Sequence, residues 1–364
     1  MITVVIPVYN ASEYIQRALA SIQSIKAIPI EILCINDGST DDSVNVIEEY
    51  KNDLPNYQTL RILSKANQGA AAARNEGIQH ARFPYIMFLD SDDQLAPNAI
   101  DIFVDALQKY PNHAVYVGQL VHFKNNQIIK LKNHQLKPGP TTLSEQPELL
   151  QSIGPGAKLY HRQWIKKGFD SGITFCEEHT FNTRVFLKSV FVLNEIVYYY
   201  TQDDRNSITQ DYTNLDKYMK DAIKVRKNMF TLINTTNDIE TNVACDRVKA
   251  YYSYRMDNLI ISYLLKNALQ QKASIQFQDS IIPYLNHIFE DTYDEKSLIQ
   301  LIEFLFRYLN QSDRMQLNLY LRQKKFDFEK LNLNPNHKMS FIVKRSLNNT
   351  KDQIKLTIKK RLKH

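Results

Sequence analysis

Apolar residues in the first part of the chain come in short unbroken runs, at 3–8, 30–35, 59–63, 85–89 and 114–121. Amphipathic stretches near 11–25, 41–50, 70–81 and 97–109 separate them. β-Branched runs without alternation predict strands covered on both faces, and their alternation with helices predicts a mostly parallel, Rossmann-like sheet in an α/β layer fold with helices on both faces. Ser39 and Thr40 ahead of Asp41-Asp42, and Pro97, mark expected helix starts.

Beyond 121 the pattern is more mixed. Residues 127–131, 191–193 and 197–200 read as short strands, Pro138-Gly139-Pro140 as a turn or flexible loop, and 177–188 as a helix. No glycine follows Gly172, and apolar positions recur at helical spacing through 251–269, 274–289, 298–309 and 314–321. The predicted organisation is an α/β domain over 1–212, an all-helical C-terminal region over 213–335, and a tail over 336–364.

Charge sharpens this division. The formal charge of +6 is carried by the tail, where Lys338 onward sums to +8 and leaves the remainder slightly acidic. Nucleic acid is therefore a poor fit as a partner of the folded part. Ile354, Leu356, Ile358 and Leu362 alternate with lysines, so the tail suits an anionic membrane surface or a polyanion, and equally a solvated terminus. No stretch approaches the roughly 18 apolar residues of a membrane span, and no signal peptide is recognisable at the start. Cys34, Cys176 and Cys245 are odd in number and far apart, which predicts neither a disulfide framework nor a zinc site and suits a reducing cytoplasm.

The candidate chemistry lies where strands end. Phe88-Leu89-Asp90-Ser91-Asp92-Asp93 closes an apolar run with three carboxylates, which suits either a solvated turn or a hard divalent cation completed by phosphate oxygens. Ile35-Asn36-Asp37-Gly38-Ser39-Thr40-Asp41-Asp42 joins a strand to a helix, as a cap or as an acceptor for a base N–H. Pro7-Val8-Tyr9-Asn10 offers an aromatic for stacking. Asn67-Gln68-Gly69, four alanines and Arg74 offer a close-packed helix with a guanidinium for phosphate. All four follow predicted strands and so fall on one sheet edge, the edge at which open α/β sheets bind ligands.

These strings, with Ala73-Arg74-Asn75-Glu76-Gly77, resemble the nucleotide-binding half of the family 2 glycosyltransferases of GT-A fold, clearly over 2–93 and more loosely to about 208. Many members carry Asp where Asn36 stands. The resemblance implies a metal-dependent, inverting transfer from a nucleotide-diphosphate sugar, by habit a UDP-sugar, to a glycan or polyol-phosphate acceptor of bacterial surface glycans. By it, Asp90-Ser91-Asp92 is the DxD motif holding Mn²⁺ or Mg²⁺, with Asp92 the direct ligand and Asp90 beside it. Pro7, Tyr9, Asp37 and Asn67 belong to the base site, and Arg74 to the diphosphate or the DxD motif. Within Cys176-Glu177-Glu178-His179, Glu178 takes the place of the general base, usually Asp, with Glu177 supporting it. Arg205-Asn206-Ser207-Ile208 resembles a segment that folds over the diphosphate, so Arg205 and Ser207 are added to the donor site. Ala157-Lys158-Leu159-Tyr160 and Trp164 match a stretch on the acceptor side, where Trp164 is either a sugar platform or a core residue.

Two other readings of the same strings compete with this one. A nucleotidyltransferase needs a glycine-rich loop after the first strand, and the first glycine here is Gly38. A silent binding protein on the same fold would not need the Asp90/Asp92 pair. Without membrane spans or a Gln-x-x-Arg-Trp string, addition of one sugar per encounter is expected rather than processive synthesis.

Overall fold

The computed structural model of the chain describes residues 1–124, 127–131, 136–201, 214–239, 241–270, 277–290 and 295–332. Ten strands form one sheet: β1 (Ile2–Val8), β2 (Ile30–Asn36), β3 (Gln58–Ser64), β4 (Tyr85–Phe88), β5 (Gln94–Leu95), β6 (Val115–Lys124), β7 (Gln127–Leu131), β8 (Gly139–Thr141), β9 (Lys158–His161) and β10 (Val190–Thr201). Their order is β3-β2-β1-β4-β9-β6-β10-β5, with β7 beside β6 and β8 beside β10. The first four strands are parallel. β9 then runs antiparallel between β4 and β6, and β6 pairs in parallel with β10. The sheet is thus parallel on its N-terminal side and mixed beyond it.

β1 and β2 are buried almost throughout, because both faces are covered. Ile15 and Leu19 of α1 (Ile15–Ala20) and Ile47 of α2 (Ser43–Tyr50) share one apolar core with Val4, Ile6 and Ile32. On the opposite face, α3 (Ala70–His80) lies so close that a Cβ on Gly77 would sit 2.2 Å from Val5 Cγ1. α4 (Ala99–Lys109) returns to the first face through Ile100 and Phe103.

Then come α5 (Glu178–Phe186), α6 (Leu215–Thr235), α7 (Asn242–Ser253), a π-helical segment Tyr254–Ile261, α8 (Ser262–Gln270), a second π-helical segment Phe277–Ile281, and α9 (Ile282–Glu290). By contacts the chain forms two compact units, Met1–Asp294 and Glu295–His364. The helices as far as α9 therefore belong with the sheet. They are tied to it by Asp221 of α6, whose carboxylate accepts from the Thr174 and Phe175 amides at 2.8 and 3.2 Å. The second unit holds α10 (Glu295–Tyr308), with Leu301 and Leu305 buried, and α11 (Gln311–Gln323), with Leu317 and Leu321 buried. Asn310 caps α11 by accepting from the Asp313 amide at 2.9 Å.

Several local expectations are corrected. Gly139-Pro140-Thr141 is not a loop but the short strand β8, paired with β10. The two short strands expected at 191–193 and 197–200 are one strand, β10, with register shifts between Val192 and Tyr198 that the polar Asn194-Glu195 step disguises in sequence. Ser39 and Thr40 do not cap α2. Ser39 Oγ accepts from the Asn10 amide at 3.1 Å and Asn10 Oδ1 from the Thr40 amide at 2.8 Å, because the loops after two adjacent parallel strands lie side by side. α4 starts at Ala99 rather than Pro97, after Asn98 in a left-handed conformation with φ 61°. Among the described residues no helix is long and apolar enough to cross a membrane.

Candidate active site

β1, β2 and β4 are neighbours or near neighbours running the same way, so their carboxyl ends share one edge. Pro7 lies within β1 opposite Ile35, and Tyr9, immediately beyond, is 53% exposed. Asp37, one residue past β2, is buried and turned to the next loop. Its carboxylate pairs with Lys65 Nζ at 2.8 Å and accepts from the amides of Gln68 and Gly69 at 3.0 and 2.7 Å. Asn67 is exposed in the loop so held, as are Ala66, Gln68 and Gly69. Gly38 allows that approach: its φ is +76°, and a Cβ there would lie 3.0 Å from the Asn67 amide nitrogen.

The acidic turn after β4 divides into a buried anchor and a partly exposed stretch. Asp93 is 2% exposed, accepting from Tyr198 Oη at 2.8 Å and the Thr201 amide at 2.8 Å. Burial, with the charges of Asp90 and Asp92, holds its carboxyl well above the usual range. Asp93 is thus an anchor to β10, not a ligand. Tyr198 also accepts from the Asp90 amide at 3.2 Å, and Arg17 of α1 donates to the Asp92 carbonyl at 2.9 Å. Held from both sides, the turn leaves Asp90, Ser91 and Asp92 partly exposed.

Arg74, on α3, crosses from this turn to the start of α5. One guanidinium nitrogen lies 2.8 Å from Asp90 Oδ1 and another 3.1 Å from Glu177 Oε1, with the Phe169 ring 5.5 Å beneath. Burial penalises the charge, but Asp90, Glu177 and Glu178 outweigh it, so Arg74 stays a cation. Glu178 opens α5, where an acid is favoured by the helix dipole, and the residue two before it, Cys176, has φ 64°. Burial and then the charge of Glu177 push Glu178 up to about 8, against the opposing pull of Arg74. His179 next to it is buried, bonded to Tyr252 Oη at 3.0 Å, and held well below its usual value by burial, so it is neutral at physiological pH.

Arg74, Asp90, Glu177 and Glu178 line one cleft of about 960 Å³. Tyr9, Asp37, Asn67, Ser91 and Asp92 do not line that cleft. Arg205 and Ser207 lie outside the described residues, as does the basic tail. Trp164 is 36% exposed and lines no part of the cleft, so it is neither a core residue nor a wall of this site. Sequence reasoning missed Tyr198 and Arg255. Tyr198 belongs to a tyrosine run with no site motif, and Arg255 sits in a helical region with no motif of its own. Lys158 was noted only as part of a matching stretch. It is 1% exposed and donates to Ser152 Oγ and the carbonyls of Gly154 and Gly156 at 3.1, 2.6 and 3.0 Å, fixing the turn that forms one cleft wall.

Among the described residues no group of three or more His, Cys, Asp or Glu side chains is arranged to hold a metal by itself. The donor set still fits a hard cation of the kind bound by one or two carboxylates with phosphate and water oxygens completing its shell. Asp90, whose side chain is 34% exposed, and Asp92 supply those two carboxylates from one turn, beside a buried guanidinium suited to phosphate.

A mixed sheet with an acidic turn at the end of its fourth strand, faced by an acidic helix start, is the arrangement of a GT-A fold. Residues 3–169 match the profile of glycosyl transferase family 2. The chain is similar to the uncharacterized glycosyltransferase YibD of Escherichia coli, 41% identical over 26% of this chain and 27% of that protein. It is also similar to the poly(ribitol-phosphate) beta-glucosyltransferase of Bacillus spizizenii, 27% identical over 55% of this chain and 32% of that one. The chain thus spans about a third or less of the length of either relative. In structure it resembles residues 1–349 of S. aureus TarS in complex with UDP-GlcNAc, with TM-score 0.65 and 18% identity over 89% of this chain and 87% of that one, a likeness of fold.

Proposed function

We propose that the chain is an inverting, metal-dependent glycosyltransferase that moves a sugar, of hexosyl or N-acetylhexosaminyl type, from a UDP-sugar to a hydroxyl of a bacterial surface glycan such as capsule, teichoic acid or lipopolysaccharide. The observation that carries this reading is the single cleft in which Arg74 links the Asp90 turn to the Glu177-Glu178 helix start. UDP-GlcNAc in the TarS structure and poly(ribitol phosphate) in the name of the Bacillus relative support the donor and acceptor classes.

On this reading Tyr9, Asp37 and Asn67 form the uridine end, with Asp37 acting through the loop it holds. Mn²⁺ or Mg²⁺ on Asp92 and Asp90 would neutralise charge developing on the departing diphosphate. Arg74 adds a fixed positive charge at the same place and pairs with Glu177. Glu178 accepts the proton of the acceptor hydroxyl as its oxygen bonds to the anomeric carbon and the bond from that carbon to the diphosphate breaks. One displacement inverts the configuration. The raised proton affinity of Glu178 suits a base working near neutral pH. Work at the inner membrane face through the basic tail completes the proposal.

The test is nucleotide release from a panel of nucleotide sugars, with Mn²⁺ or with EDTA, using Asp92→Ala as control. Slow release from one donor that needs the metal and is lost in the variant is expected. Release that is indifferent to EDTA and to Asp92→Ala would remove the metal-dependent assignment. Absence of both release and nucleotide binding would remove the transferase reading itself.

A further inference from the structure

Among the described residues, three cations of Lys or Arg line the cleft: Arg74, Lys158 and Arg255. Arg74 is engaged by Asp90 and Glu177, and Lys158 is enclosed by Ser152 and two carbonyls. Arg255 differs. It has no hydrogen-bond or ion-pair partner among the described residues, and its Nε is shut away from solvent without an acceptor. A half-buried guanidinium whose Nε lacks an acceptor is suited to receive an oxyanion from the cleft.

Its placement is built into the helical part of the first unit. The wide turn of the π-helical segment sets Arg255, Leu259 and Ile260 on the cleft side, continued by Tyr263 on α8. Met256, Asp257 and Ile261 of the same segment are buried on its other side. There Asp257 accepts from Tyr284 Oη at 2.6 Å and lies 3.7 Å from Arg226 Nε, which fixes the segment against α6 and α9. Burial lowers the proton affinity of Arg255, while Tyr251, Cys176 and Glu178 oppose that effect, so it remains charged. Arg255 and Glu178 line the same cleft. Tyr263, 60% exposed, gives the same wall an aromatic face.

We propose that Arg255 binds the acceptor, its guanidinium taking one oxyanion carried by the acceptor chain while Tyr263 packs on the adjoining sugar or alditol. The oxyanion is a phosphodiester or a uronate carboxylate, both of which match the guanidinium fork. This rests on the glycosyltransferase reading above and makes the acceptor an anionic glycan, held by a residue outside the 3–169 family match.

The full chain would be assayed with a ribitol-phosphate oligomer, a glucuronate-containing oligosaccharide and the carboxyl-reduced form of the latter. The wild type should use one of the two anionic probes, which identifies the oxyanion, and its acceptor KM should rise with salt. Arg255→Gln should raise that KM by about ten-fold or more while changing the Kd for UDP by less than about two-fold, with Arg255→Lys between them. Equal use of the neutral probe by the wild type would overturn the proposal. So would an Arg255→Gln variant with unchanged acceptor KM whose loss lies in kcat and in a shifted pH profile, since the residue would then act through Glu178. If none of the probes is turned over, calorimetric titration decides. Failure of both anionic oligomers to bind, or equal binding to wild type and Arg255→Gln, overturns it. Failure of the wild type to bind UDP or release nucleotide from any donor would instead remove the parent reading.

Discussion

Glu178 carries the clearest consequence at the scale of single residues. Its carboxyl, ordinarily near 4.5, is raised to about 8, so at pH 7 most ligand-free molecules hold it protonated. A base must be deprotonated, so transfer should rise with pH toward a plateau above about 8. Glu178→Gln should remove that limb and lower the rate by about 10²–10⁴-fold, measured as initial velocity across pH 6–10. The same shift bears on stability with a definite sign. Between about 4.5 and 8 the folded chain keeps a proton that the unfolded chain releases, so the site costs stability as pH rises through this window. Glu178→Gln should therefore raise Tm relative to wild type at pH 9 and leave it little changed at pH 4. A wild-type pH profile flat from 6 to 9, or a variant less stable at pH 9, would contradict this account. The residues that sequence made legible here are those with local signatures: Asp90 at a strand end, Arg74 after four alanines, Glu177 and Glu178 at a helix start. Asp93 sits in the same acidic string as Asp90, yet only the bond to Tyr198, 105 positions away, marks it as an anchor. Arg255 has no signature, because nothing in the helical pattern around it sets it apart from a surface arginine.

Elements were legible in proportion to how far they decide their own conformation. The β-branched runs of β1, β2 and β3 announce themselves. β5, two residues long, and β9, which begins with the buried Lys158, are strands only because β10, β4 and β6 offer them partners. The register shifts within β10 likewise follow from its neighbours. Close packing between elements is testable at Gly77, where α3 meets β1. Gly77→Ala should destabilise the chain by about 1–3 kcal/mol in urea unfolding, the usual cost of overpacking. Val5→Ala in the same chain should recover part of that loss, since Val5 is what the added methyl meets. Simple additivity of the two losses would mean that α3 shifts freely on the sheet.

The molecule as a whole divides at Asp294, not where the sequence composition changes. Composition marked the end of the α/β pattern near 212, but Asp221 and the cleft-lining π-helical segment bind the next helices to the sheet. Site and core both lie within Met1–Asp294. A chain ending at Asp294 should therefore melt in one cooperative transition and bind UDP within about three-fold of the full chain, a difference below about 1 kcal/mol. Loss of either property would assign the second unit a part in the nucleotide site.

The outer side of β10 governs how these molecules behave in company. Two stubs cover it, β8 against Val190–Val192 and β5 against Tyr198-Tyr199. Pro140, at the centre of β8, has no amide hydrogen to offer an approaching strand. A β-strand from another copy would find a donor missing at one place and a two-residue ledge at the other. The longest strand of the sheet is thereby withheld from edge-to-edge pairing, and the chain is protected there against self-association into extended sheets.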